Sequence, residues 1–419
     1  MSKKQSRWRQ NERSSRLKLN VATTVMSNPD FPAELLDHTV DLLDGDRHAL
    51  KSCCLVSKSW IPRTRKHLFA SVDFDSPGRL RAWKNAFPNP STSPARYTKT
   101  LVITRRLGDP LADAEEGGWI PTFSRVEHFR LYGGNPKISL TPLQGFSPAI
   151  KSLRIKSAPF PYSISNLIFS FPLLEDLSLI SYISSHRADT DEQPATARPS
   201  SSPKFTGYLA LDIWEEIDRV ASQLLSLPGG LHFRELKLQF RRRDEVSPIG
   251  ALVEGCSSTL ESLDISCKVW GTIVSASIGI HNLPQFIGMP ADPIDLSKVT
   301  KLRNVAFSCV YDPRFISATL RTMTRGHRYF QRLSISSPDT CRRLHSFPPD
   351  PAITKRKIEE GFYVEWLDLD RLLSQLHEVY SIRLKVPCEV GEGTGCRCAE
   401  YLLPEVVARG IVDPGNFYP

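Results

Sequence analysis

No apolar run in this 419-residue chain approaches the roughly 18–20 residues that a membrane-spanning helix needs, which excludes such a helix; no membrane partner is expected. The opening residues, Met-Ser-Lys-Lys-Gln-Ser-Arg, lack the apolar core of a secretory signal, so none is expected. Cysteine is sparse: nine residues, an odd number scattered along the chain, make no disulfide framework. They read as free thiols of a reducing compartment, the cytoplasm or the nucleus. Catalytic signatures are missing as well. Neither Gly-x-Ser-x-Gly nor His-Glu-x-x-His occurs, and the ten histidines form no cluster. Gly391-Glu392-Gly393-Thr394-Gly395 lacks the lysine and the helix start that hold a phosphate. Cys388, Cys396 and Cys398, with His377 as a fourth ligand, would offer spacers of seven and one and no Cys-x-x-Cys, so reduced cysteines are expected rather than zinc. We therefore expect no enzyme, no catalytic residue, no metal and no cofactor; a triad assembled from distant residues is the alternative.

What is present begins with charge. The net +9 is uneven: residues 1–30 hold seven Lys/Arg against Glu12 and Asp30. Such a tail can steer acidic partners. With little to bury, residues 1–28 read as a disordered basic tail, with a nuclear-localisation role or an organelle presequence as alternatives. Nothing resembles a nucleic-acid module, so nucleic acid is not an expected partner. Two further polar stretches, 184–203 and 342–357, read as surface insertions, the first of them disordered, and 387–419 as a C-terminal cap or tail.

Residues 29–76 read as three short helices. Asp30 is placed to cap the first, with Phe31 and Pro32 in its first positions. Leu36, Val40 and Leu43 recur at helical spacing, and Leu35 widens the stripe. Gly45 suits a left-handed C-terminal cap and Asp46 the next N-cap. The second helix carries Leu50, Cys53, Cys54, Leu55 and Val56 before Ser57-Lys58-Ser59-Trp60, and Pro62 restarts a third that ends at His67-Leu68-Phe69. A unit of about 48 residues cannot bury this much apolar surface internally. The surplus implies a docking surface; the alternative is the core of a small helical domain.

Phe-Pro-x-Glu-Leu-Leu-x-x-x-Val-x-x-Leu, from Phe31 to Leu43, resembles the first half of an F-box, and Ala49-Leu50-Lys51 with Cys54-Leu55-Val56-Ser57-Lys58-Ser59-Trp60 resembles the second. Arg63-x-Arg65-Lys66-His67-Leu68-Phe69 is similar to the version found in fungal F-box families. The family more often has leucine where Phe31 stands, a departure that keeps the bulk. The resemblance implies that Phe31, Pro32, Leu35, Leu36, Val40, Leu43, Leu50, Leu55, Val56 and Trp60 clasp a Skp-type adaptor, which bridges to a cullin.

Beyond the helices a repeat appears: apolar-x-x-apolar-x-apolar. It occurs at Val126–Leu131, Ile150–Ile155, Leu174–Leu179, Phe233–Leu238, Leu260–Ile265, Leu302–Phe307, Phe330–Ile335 and Val379–Leu384, with Leu101–Ile103 as a first member. Most steps are 24–28 residues, the spacing of leucine-rich repeats, and the longer ones contain polar insertions or room for a missed unit. Amphipathic segments around Ile217–Leu225, Phe315–Met323 and Trp366–Leu376 sit where return helices belong. No asparagine follows the strands, so the array is degenerate. The expected fold is α/β, a short three-helix F-box followed by an irregular leucine-rich-repeat-like solenoid of parallel strands over 95–386; an ordinary mixed α/β domain is the alternative.

Alternation along each strand turns the residues between the apolar pair outward. Arg130, Tyr132, Arg154 and Lys156, then Lys237 and Arg383, form a basic stripe interrupted by Asp176, Glu235 and Asp264. An acidic or phosphorylated protein segment fits it; a merely solvated face is the alternative. Arg241-Arg242-Arg243-Asp244-Glu245 reads as a charged loop. Together these features lead us to expect the substrate-recognition subunit of an SCF-type ubiquitin ligase, or else an F-box scaffold acting outside one.

Overall fold

A computed structural model describes residues 32–104, 122–133, 146–156, 164–180, 203–213, 217–267, 292–308, 313–323, 327–336, 364–376, 381–385 and 402–411. The basic tail, the stretches 184–202 and 342–357, and the glycine-rich segment with its three cysteines lie outside these residues. The chain divides into two units, residues 1–67 and 68–419.

The first unit holds α1 (Ala33–Leu42), α2 (Arg47–Val56), a 3₁₀ turn (Lys58–Trp60) and α3, Ile61–Leu68. Pro32 is the N-cap residue of α1, with extended ψ of 132° and no side-chain cap bond. It therefore sits one step outside the helix, where sequence reading had placed it inside. The break after α1 follows expectation: Gly45 takes a φ of 94°, a left-handed turn that suits glycine. Asp46 then caps α2, accepting from the backbone N–H of His48 and Ala49 at 3.0 Å each.

The second unit is α/β, built on an eleven-stranded sheet whose order is strictly sequential, β1 to β11. The strands are β1 (Ser71–Phe74), β2 (Thr100–Thr104), β3 (His128–Tyr132), β4 (Ser152–Lys156), β5 (Asp176–Ile180), β6 (Tyr208–Asp212), β7 (Glu235–Phe240), β8 (Ser262–Cys267), β9 (Asn304–Ser308), β10 (Arg332–Ser336) and β11, Ser381–Lys385. All neighbours run parallel, in one register. Consequently Leu101, Phe129, Leu153, Leu177, Leu209, Leu236, Leu263, Val305, Leu333 and Ile382 form one buried row. Ile103, Leu131, Ile155, Leu179, Leu211, Leu238, Ile265, Phe307 and Ile335 form a second beside it. Each such side chain withdrawn from water contributes on the order of 1.5–3 kcal/mol.

Helices α4 (Pro77–Ala86), α5 (Ile164–Phe169), α6 (Ile217–Leu225), α7 (Val246–Gly255), α8 (Pro313–Arg321), α9 (Val364–Gln375) and α10 (Pro404–Ala408) belong to this unit. Their apolar faces, including Ile217, Val220 and Leu224 of α6 and Trp366, Leu369 and Leu373 of α9, join the same core. The opposite face of the sheet is left to the alternate residues of each strand. At the end of the sheet, the N–H of Ile382 donates to the carbonyl of Ile411 at 2.9 Å. Asp370 of α9 accepts from the N–H groups of Glu405 and Val406, and Arg409 donates to the carbonyls of Leu373 and Ser374. Each helix of the α9–α10 pair thus caps the other, and Leu402, Leu403 and Val406 close the core.

Two strands depart from the expected repeat. The sheet starts at Ser71, well before residue 95, because Phe69-x-x-Val72-x-Phe74 carries the repeat spacing inside the stretch read as helical. Strand β6 fills the long gap between Leu177 and Leu236. Its entry holds one extra residue: Phe205, buried, lies four residues before Leu209 instead of three and takes a φ of 43°.

Candidate functional site

Two surfaces carry functional potential, one in each unit. In the helical unit, Leu55 is 89 % exposed, Leu42 72 %, Val56 68 % and Leu35 51 %. Leu35 and Leu42 are seven residues apart, hence on one face of α1, while Leu55 and Val56 end α2. Pro32 is also exposed, and Leu36, Leu43 and Trp60 are half-buried. Val40 and Leu50, expected as contact residues, are buried at 1 % and instead hold the unit together. Phe31 lies outside the described residues. Leu42 was not singled out by sequence reasoning, although its offset from Leu35 places it on the stripe.

The basic residues of α3 have a structural use. Arg63 of α3 forks onto Asp41 of α1, its Nε 2.6 Å from Oδ1 and its Nη2 on Oδ2. His67 reaches the same carboxylate through Nε2 at 2.7 Å and Asp44 through Nδ1 at 3.2 Å. The Arg63 guanidinium, and then His67, hold the Asp41 carboxyl well below the ordinary aspartate range. This charge-assisted fork ties the first helix to the third.

On the sheet, the outward residues at the middle of each strand read, from β3 to β8, Arg130, Arg154, Ser178, Ala210, Lys237 and Asp264. The two small residues leave a trough of about 320 Å³, lined by Arg130 and Arg154 on one side, Lys237 on the other and Tyr208 at its end. Arg154 lies over the ring of Tyr132, 6.0 Å from its centroid, and its Nε is buried without a partner among the described residues. Burial pushes the Tyr208 phenol up, while the nearby Arg154 charge pulls it down; the net direction is upward.

The irregular entry to β6 shapes this trough. At junctions on either side, two consecutive N–H groups share one carbonyl of the preceding strand's approach, as Lys151 and Ser152 do with Glu127 and as Arg234 and Glu235 do with Gly207. At β6 the pattern breaks: Gly207 donates to Glu175, while the N–H of Tyr208 turns to Oδ1 of Asp176 at 2.9 Å. A Cβ on Gly207 would lie 2.0 Å from that same oxygen, so any larger residue must push the Asp176 carboxylate out of this bond.

Sequence reasoning expected one basic stripe. The structure brings Arg130, Tyr132, Arg154 and Lys156 together on β3 and β4, but separates Lys237 by two strands and Arg383 by four more. Lys237 also pairs with Asp264 at 3.5 Å. The Arg241–Glu245 stretch is no simple charged loop. Arg241 is buried against Asp212 at 2.5 Å, and Glu245, 1 % exposed, accepts from the N–H of Arg241 and from Nε of Arg242. Tyr208, Ser178 and Ala210 were missed; the alternation in Tyr-Leu-Ala-Leu-Asp after Gly207 was the available signal. A larger cavity of about 750 Å³ lies against α7. Three of its four carboxylates are engaged: Asp244 with Arg242, Glu254 with Lys298, and Asp295 with the N–H of Ser297.

Comparison with protein-family models and with curated proteins finds no match to this sequence. No helix among the described residues is long and apolar enough to cross a membrane. Among the same residues, no group of three or more His, Cys, Asp or Glu could hold a metal ion. The described Cys53, Cys54 and Cys256 are free thiols, and burial pushes the Cys256 thiol up to about 12, far from a reactive thiolate.

Proposed function

We propose that this chain is the substrate-recognition subunit of an SCF-type cullin–RING ubiquitin ligase, a fungal-type F-box protein with degenerate leucine-rich repeats. The helical unit docks a Skp-type adaptor, and the outward face of the sheet holds a protein target. The observation that carries this reading is the set of leucines standing in solvent on α1 and at the end of α2, within a motif that resembles an F-box. Apolar anchors of this kind dominate interfaces, at roughly 2 kcal/mol or more for each hot spot. Strictly sequential parallel strands at repeat spacing support the leucine-rich-repeat reading. The mechanism is proximity: holding a target beside a ubiquitin-charged enzyme raises the effective concentration of its lysines without bond chemistry by this chain.

The test is co-purification of the full chain with a Skp-type adaptor and cullin from cells in which neddylation and the proteasome are inhibited. The wild type should recover both, and Leu42→Asp with Leu55→Asp should lower adaptor recovery at least ten-fold. Failure of the wild type to bind purified adaptor would overturn the assignment.

A further inference from the structure

We infer that the trough between Arg154 and Lys237 is a notch for one phosphorylated side chain of a protein segment, gripped by Arg130 and Arg154 beside the Tyr208 hydroxyl. The inference deepens the reading of the sheet face as the target-binding surface and rests on it.

Like charges do not stand side by side on neighbouring strands without cost. Arg130 and Arg154 occupy the same register position on β3 and β4, on strands about 4.8 Å apart. No carboxylate among the described residues pairs with either. Other cations nearby are satisfied: Lys151 by Glu127 at 3.4 Å, Lys237 by Asp264, and Arg241 by Asp212. Two carboxylates line the trough, Asp176 and Asp212. Asp176 accepts the Tyr208 N–H, and Asp212 holds Arg241. Arg130 and Arg154 therefore face the depression against one lining carboxylate, Asp176, that no cation pairs among the described residues, and positive charge is in excess there.

The space matches the charge. Ser178 and Ala210 are register partners on β5 and β6, so the floor beside Arg154 is two small residues wide. Packing over Tyr132 holds Arg154 in place before any ligand arrives. Tyr208, whose phenol is pushed up by burial, keeps its proton at neutral pH and can donate to an oxygen. A carboxylate would bring one negative charge and two oxygens. A phosphomonoester brings nearly two charges and three strong acceptor oxygens, which suits two forked guanidinium groups and a hydroxyl.

The test measures fluorescence anisotropy of the full chain with a labelled degenerate peptide pool carrying one central phosphoserine. Pools with serine or glutamate at that position, and a single-stranded RNA pool, serve as comparisons. The phosphoserine pool should bind at least ten-fold tighter than the serine and glutamate pools. Arg130→Gln and Arg154→Gln should each remove at least ten-fold of that preference, and Lys237→Gln less than three-fold. Ser178→Leu, which fills the floor and leaves every charge in place, should also abolish it. Equal binding of the glutamate pool, or tighter binding of the RNA pool, overturns the inference. So does an unchanged preference in both arginine variants. Adaptor binding measured on the same preparations separates the readings: its loss with phosphopeptide capture intact overturns the ligase assignment alone.

Discussion

In the sheet, Leu153, Leu177, Leu236 and Leu263 are fully buried, whereas in the helical unit Leu42 and Leu55 stand largely in solvent. Four of the eight large apolar side chains exposed among the described residues fall on α1 and α2, far more than their share of the chain. One region has finished burying its apolar surface, and the other has not. The contrast teaches that the same residue type does different work in the two units: cohesion in one, an open contact in the other.

The largest effect that would sharpen this contrast lies in the sheet. Phe307→Ala empties a fully buried site and should cost about 3–5 kcal/mol in denaturant unfolding. Gly207→Ala comes next. It drives a Cβ against Asp176 and should cost roughly 1–3 kcal/mol, with loss of hydrogen-exchange protection concentrated at β5 and β6. In the helical unit, Asp41→Asn should loosen α1 from α3 by a smaller amount, read as faster exchange in the α3 peptides. The sign of its pH dependence follows from the direction of the shift. The folded carboxyl lies below its ordinary value near 4, so its stabilisation is full above about pH 4 and is lost as pH falls below that. Asp41→Asn should abolish that acid sensitivity. The smallest effect is the most telling. Leu55→Ser should change stability by no more than about 0.5 kcal/mol while weakening adaptor capture. A large stability loss would break the contrast by making Leu55 a core residue.

Most of the sheet was legible because its signal is local. An apolar residue, a gap of two and an alternating pair suffice to place a strand, and that rule, with its truncated form at Leu101–Ile103, found nine of the eleven strands. Strand β6 escaped because the extra residue at Phe205 spoils the spacing. Strand β1 escaped because Phe69 was already absorbed into the helical motif. Of the trough, only the cations Arg130, Arg154 and Lys237 were legible. Its walls, Arg154 and Lys237, lie on strands with two others between them that only the register lines up, and its floor is made of residues notable for being small. Charge pairing is equally invisible in the sequence: Lys237 looked like Arg154, yet Asp264 occupies it. The helical unit divides the same way, since periodicity marked Val40 and Leu50 as part of the stripe but did not tell interior from exterior.

The order of the strands has a consequence for how the sheet is made. Each strand hydrogen-bonds only to those before and after it in the chain, so almost every pairing closes a loop of similar, modest length. Such a topology needs no single long-range encounter to begin. Ordering can start at any well-packed neighbouring pair and spread in both directions, and during synthesis the early strands can settle before the late ones exist.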